Sequence, residues 1–182
     1  MKWILPGTVM EARREEADRL ESQFSAMFLA GGMVLSQVAS ITGLEPYTVQ
    51  NWVKRGFLPA PERKRYSMNQ VCRIININML KSVLPMERIC GLLGYINGKL
   101  DDEGDDIIDD AQLYFLFVRL AAQVRQRNDP ARRDELIAQV MTDYSEPVPG
   151  AKMRIEKALR VMLTAWVAAR IRQEAEKMLE EL

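Results

Sequence analysis

The chain has 182 residues, with 25 Lys/Arg balanced by 25 Asp/Glu and no His. This length fits one domain or a small domain with an extension, and the 48% hydrophobic content supports a real core and excludes wholesale disorder. Without His, and with Cys72 and Cys90 too far apart for a CxxC pair, the sequence excludes His-based catalysis and argues against a structural zinc site or a disulfide framework.

The zero net charge hides a segregation. From Gly31 to Gly98 eight Lys/Arg face three acids, a local charge of +5. Residues 1–30 carry −1 and residues 99–182 carry −4. A basic module is set in acidic surroundings, a pattern that points to a polyanionic partner.

In chain order the pattern reads as helix nearly throughout. "MKWILPG" has three consecutive apolar residues before Pro6, too few for a signal peptide, so a cytoplasmic protein is expected. A first helix is expected from about Thr8 to Leu29. Thr8 stands three residues before Glu11 in capping-box spacing, and Ala17, Leu20, Phe24, Met27 and Phe28 form an apolar stripe. Gly31-Gly32 ends it.

Ser36 is expected to cap a short helix, "QVASIT", stopped by Gly43. Glu45-Pro46 opens the next helix, which runs to Arg55 and ends at Gly56. Pro59 and Pro61 then keep "FLPAPERKRY" out of a helix. Ser67 and Gln70 make an S-x-x-Q start for a helix that Pro85 breaks, and "MERICGLLGYI" follows to about Gly98.

"KLDDEGDDIIDD" is expected to be a linker turning into a helix start, where acids suit the positive end of the helix dipole. Its spacing departs from a calcium loop, so no metal is expected. Three helices follow: about Ile107 to Arg127, then one capped by Asp129-Pro130 and reaching Tyr144, then Lys152 to Leu182. The apolar stretch from Ala111 to Val124 is too short to span a membrane and contains Arg119. The last helix has the stripe Ile155, Leu159, Met162, Trp166, Ala169, then Ile171, Ala175, Met178 and Leu182, with a change of phase after Ala169.

The functional signal lies in "MVLSQVASITGLEPYTVQNWVKRGFLP". A short helix, a turn at Gly43 and a second helix opened by Pro46 make a helix-turn-helix, with Val38, Ala39, Ile41, Leu44, Val49, Trp52 and Val53 available to pack it. The other face of the second helix then projects Tyr47, Thr48, Gln50, Asn51, Lys54 and Arg55. Gln and Asn can pair bidentately with adenine, Thr and Tyr hydroxyls can bond phosphate or base, and Lys54 and Arg55 suit phosphate. "PERKRYS" adds a short wing that presents Arg63, Lys64 and Arg65, with Tyr66 either anchoring it or bonding a phosphate.

From Val34 to Ile96 these motifs resemble the MerR-type winged helix-turn-helix. The order "LSQVASITGLEPYTVQNWVKRGFLPAP", "RKRYSMNQV", "LPMERICGLL" matches the family's helix-turn-helix, its short wing ending R-Y-S, and its two following helices. Within that superfamily the chain is similar to an uncharacterised bacterial family known only as a domain of unknown function. Thr48, Lys54, Arg65 and Tyr66 match family positions. Gln50 stands where Arg is common, Asn51 and Trp52 where Tyr-Tyr is common, and the wing tip is shortened. The resemblance implies sequence-specific binding of double-stranded DNA by a transcription regulator, and dimerisation through the helices after this domain, with Leu113–Val124 as the best dimer core. It implies no known effector.

The expected fold is all-α: an N-terminal helix (1–32), a MerR-like winged helix-turn-helix with a short wing (33–98) and about three helices for dimerisation or partner binding (99–182). No cofactor, metal or membrane partner is expected. No phosphate-cradling Gly loop or nucleophile motif is present, so the chain reads as a non-enzyme. The alternative is a protein-interaction module on the same fold that does not bind DNA.

Overall fold

The computed structural model describes residues 2–98, 100, 106–124 and 130–182. The chain is mostly helical, with two small antiparallel sheets. In order it runs β1 (Lys2–Ile4), β2 (Glu11–Arg13), a 3-10 segment (Arg14–Arg19), α1 (Leu20–Ala26), β3 (Met33–Val34), α2 (Leu35–Thr42), α3 (Pro46–Lys54), β4 (Arg65–Tyr66), α4 (Met68–Leu80), α5 (Met86–Asn97), α6 (Asp110–Gln123), α7 (Pro130–Val140) and α8 (Ala151–Glu180). Among the described residues no helix is long and apolar enough to cross a membrane.

The expected first helix is replaced over most of its length. Residues 2–13 form a hairpin that pairs Lys2 with Arg13, Trp3 with Ala12 and Ile4 with Glu11. Trp3 and Leu5 are buried while Lys2 and Ile4 are exposed, an alternation of period two that a strand requires. Pro6-Gly7 turns the chain, and Thr8 serves that turn instead of capping a helix. Its hydroxyl donates to the Leu5 carbonyl at 3.0 Å and accepts from the Met10 N–H at 3.1 Å. Glu11 lies in β2, where its carboxylate meets Lys2 Nζ at 3.2 Å. The expected stripe survives in part: Ala17, Leu20 and Phe24 are buried, but Met27 is exposed.

The hairpin fastens three helices. The Val9 N–H donates to the Ile41 carbonyl of α2 at 3.0 Å. Asn78 of α4 donates to the carbonyls of both Gly7 and Thr42 at 2.9 Å. The Tyr114 hydroxyl of α6 donates to the Pro6 carbonyl at 3.1 Å, and Arg14 Nη1 donates to the Ala121 and Ala122 carbonyls at the other end of α6. These last bonds reach the C-terminal end of α6, where helix carbonyls run short of intrahelical donors.

α2 begins earlier than expected. The β3–β4 pairing (Met33 with Tyr66, Val34 with Arg65) holds the chain extended through Val34, and the helix starts at Leu35. Gln37 closes this start by accepting from the Val34 N–H at 3.0 Å, so Ser36 lies inside the first turn and is not the cap. α4 starts as its sequence dictates. Ser67 Oγ accepts from the Gln70 N–H at 3.2 Å while Gln70 Oε1 accepts from the Ser67 N–H at 2.9 Å, a reciprocal cap worth about 1 kcal/mol.

The core is continuous from Trp3 to Val167. α4 and α6 are its two central helices, each buried nearly all round. Leu113–Val124, expected to supply a dimer core, is therefore enclosed by the chain's own α4, α7, α8 and 3-10 segment. Tyr114, Phe115 and Phe117 are fully buried there, and Phe117 meets Trp166 of α8 edge-on, with centroids 6.0 Å apart. α6 starts later than expected, with Asp109 Oδ1 accepting from the Gln112 N–H at 2.7 Å. The expected extension of this helix to Arg127, the Asp129 cap and the acidic run 101–105 lie outside the described residues. α8 buries Ile155, Leu159, Met162, Trp166 and Ala169 against the core, and every residue from Arg170 onward is exposed.

Candidate nucleic-acid interface

α2 and α3 meet through a turn that three features set. Gly43 adopts φ 69° and closes α2 by donating to the Ala39 carbonyl at 2.9 Å. A Cβ there would stand 2.7 Å from Val9 Cγ1, so only glycine lets the turn rest on the N-terminal hairpin. The buried Thr42 hydroxyl donates to the Val38 carbonyl at 2.7 Å and accepts from the Leu44 N–H at 3.3 Å. Glu45 is extended, and Pro46 opens α3.

α3 turns Val49 and Trp52 inward. That rotation leaves Tyr47, Gln50, Asn51 and Lys54 on the outer face at helical spacings of three, four and seven. Tyr47 is 70% exposed, Gln50 and Lys54 are exposed, and Thr48 and Asn51 are half-buried. Arg55, just beyond the helix, is exposed and lies 4.8 Å from the centroid of the Phe57 ring.

The segment after α3 returns as a tight basic turn. Its closing bond runs from the Arg65 N–H to the Glu62 carbonyl at 2.7 Å, and its two central residues, Arg63 (φ 47°) and Lys64 (φ 64°), both have positive φ. Mirror-image hairpin turns demand that conformation and favour Asn-Gly, so two cationic side chains here carry backbone strain. Such strain is a recognised mark of functional positions. Lys54, Arg63 and Lys64 are exposed and make no ion pair among the described residues.

The other two turn residues have structural tasks. Arg65 Nη1 donates to the Gly32 carbonyl at 3.0 Å and ties the turn to the entrance of β3. Tyr66 is only 4% exposed, and burial pushes its phenol above the ordinary tyrosine range. It acts as the anchor of the pair of alternatives the sequence left open. A cleft of about 600 Å³ joins the two halves of the surface. Gln50 and Val53 of α3 line it together with Lys64, Tyr66 and the start of α2 at Val34 and Leu35.

Sequence reasoning missed Arg73 and Asp110 behind this surface. Arg73 Nε donates to the Phe57 carbonyl at 3.2 Å, and Arg73 Nη1 meets Asp110 Oδ2 at 3.2 Å. An Arg in the otherwise apolar stretch "VCRIIN" was the available signal.

The fold and surface define a helical protein that presents one helix and one strained basic turn on a common side. Residues 32–117 match the family described as a domain of unknown function, DUF1836. That range runs from β3 into α6 and so includes Arg73 and Asp110. The chain is also similar to the uncharacterized protein YkrK of Bacillus subtilis (strain 168), with 24% identity over 116 residues. The similarity covers 62% of this chain and 50% of YkrK, so the chain spans about half the length of the curated relative it matches. No solved structure matches the chain significantly.

Proposed function

We propose that the chain binds double-stranded DNA sequence-specifically, as a cytoplasmic transcription regulator of the MerR-like winged helix-turn-helix type. In this reading α3 is the recognition helix and the Glu62–Arg65 turn is the wing. The observation that carries it is the outer row Tyr47, Gln50, Asn51 and Lys54, set beside a turn bearing Arg63 and Lys64, which make no ion pair among the described residues, with Gln50 and Lys64 lining one cleft. Gln50 and Asn51 read adenine edges in the major groove, and Tyr47 and Thr48 bond bases or phosphates. Lys54, Arg55, Arg63 and Lys64 neutralise phosphates. Arg65 and Tyr66 hold the wing.

The regulator acts as a homodimer through its C-terminal helices. The seat of that contact is the exposed end of α8, where Ile171, Ala175 and Met178 recur at steps of four and three, with Leu182 four residues further on just past the helix. A two-fold dimer presents its recognition helices to half-sites about 34 Å apart.

The test is a fluorescence-anisotropy titration against random double-stranded oligonucleotides at about 50 and 200 mM salt. Binding that falls steeply with salt is expected. No binding at the lower salt would overturn the reading in favour of a protein-interaction module.

A further inference from the structure

Arg73 projects from α4 into the angle between the segment after α3 and the first turn of α6. Its side chain and that of Asp110 are almost wholly buried, at 8% and 12% exposure. Each acceptor of this guanidinium is fixed independently. The Phe57 N–H donates to the Trp52 carbonyl of α3 at 2.9 Å, so Phe57 moves with that helix end. The first turn of α6 is pinned to α4 twice more: Asn76 Nδ2 donates to the Asp110 carbonyl at 3.2 Å, and the Ala111 N–H donates to Asn69 Oδ1 at 3.3 Å. A planar guanidinium that donates in two directions fixes the relative position of its two acceptors.

Stability alone does not demand this arrangement. Among the described residues Asp110 Oδ1 and Asn76 Oδ1 are buried without a donor, and buried ion pairs are often matched in stability by apolar residues of similar volume. An apolar pair would, however, leave the Phe57 carbonyl unheld. We propose that Asp110 is a positioning residue for the surface formed by α3 and the basic turn: it orients Arg73, and Arg73 fixes the Phe57 carbonyl from which the segment to Arg65 departs. The inference deepens the DNA-binding reading, on which its affinity readout rests, while its positional readout is independent of DNA.

The experiment compares the full chain with the double variant Arg73→Met/Asp110→Leu. It measures urea stability, backbone amide chemical shifts, and binding to random double-stranded DNA at low salt. The double variant is expected to lose only the contribution of the hydrogen bond to the Phe57 carbonyl, because no buried charge is left unpaired. Its amides from Glu62 to Arg65 are expected to shift, and its DNA affinity to fall by about tenfold. A role confined to stability predicts that the double variant behaves as the parent in both readouts, and that result overturns the proposal. If the parent itself does not bind DNA, the DNA reading falls and the turn amides alone decide: shifts sustain the positioning role and their absence refutes it. Should the double variant fail to fold, Asp110→Glu keeps the charge and moves the carboxylate by one methylene. Unshifted turn amides in that variant would equally refute the proposal.

Discussion

Gly7 and Ile75 approach so closely that a Cβ on Gly7 would stand 2.5 Å from the Ile75 carbonyl oxygen. The contact is backbone against backbone, and Gly7 also has φ 72°, so neither party can yield cheaply. Gly7→Ala is expected to cost about 2–4 kcal/mol through left-handed strain and forced displacement of α4. Urea denaturation reads this directly. An unchanged midpoint would show that the hairpin does not dock on α4.

That hairpin is also where the sequence was least legible. Thr8 and Glu11 have the spacing of a capping box, and the stripe Ala17, Leu20, Phe24 continues in helical phase. The competing signal, a Pro6-Gly7 turn after the short run Trp3-Ile4-Leu5, is too short to outweigh it, and Ile4, apolar yet exposed, hides the strand alternation from the sequence. Between Pro46 and Asn97 the punctuation is strong, with Pro46, Ser67-Gln70 and Pro85 each marking a helix start, and the elements fall where they were expected. The outer row of α3 followed from the same periodicity. The tether of Arg65 to Gly32 and that of Arg73 to Phe57 join residues far apart in the chain, and no local pattern encodes them. Leu113–Val124 shows another limit: an apolar helix reads the same whether its own chain or a second copy covers it.

Asp110 gives a pH-dependent prediction. Burial pushes its carboxyl above the ordinary aspartate range, with the Arg73 guanidinium pulling it down. A carboxyl raised in the folded state contributes stability that is fully present below the unfolded value of about 4 and is lost as pH rises through the folded value. The stability difference between the parent and Asp110→Asn is therefore expected to shrink as pH rises from this range towards neutrality. Denaturant titrations across that interval check it. A difference that widens with pH would mean that attraction to Arg73 outweighs burial.

Lys64→Gly separates stability from binding. Glycine relieves a left-handed residue, a gain of about 1–3 kcal/mol, against an entropic cost of about 0.5–1 kcal/mol. The variant is expected to be more stable by about 1 kcal/mol and to bind DNA less tightly, its salt slope flattened by about 0.9 for one lost phosphate contact. Thermal melts and salt titrations give the two readings. A destabilised variant would argue against strain in the turn.

Base and phosphate contacts are expected to respond differently to truncation. Gln50→Ala or Asn51→Ala should cost about 1–3 kcal/mol on a preferred sequence and little on others. Arg63→Ala should weaken all sequences alike. Competition binding between a selected site and bulk DNA distinguishes these outcomes. Uniform losses from all three would place α3 against the backbone only, not the base edges.

The bare end of α8 has a consequence for how the protein responds to its own abundance. Every residue from Arg170 to Leu182 is exposed, with Arg172 tied to the Ser82 carbonyl at 3.0 Å, and Ile171, Met178, Leu179 and Leu182 present apolar surface there. If two copies cover that surface, folding and self-association are linked by mass action, and the melting temperature rises with protein concentration. Occupancy of a two-half-site operator would then follow roughly the square of the monomer concentration while monomers predominate. The last eleven residues of α8 and the two that follow would thereby convert gradual changes in synthesis into a sharper change in bound DNA.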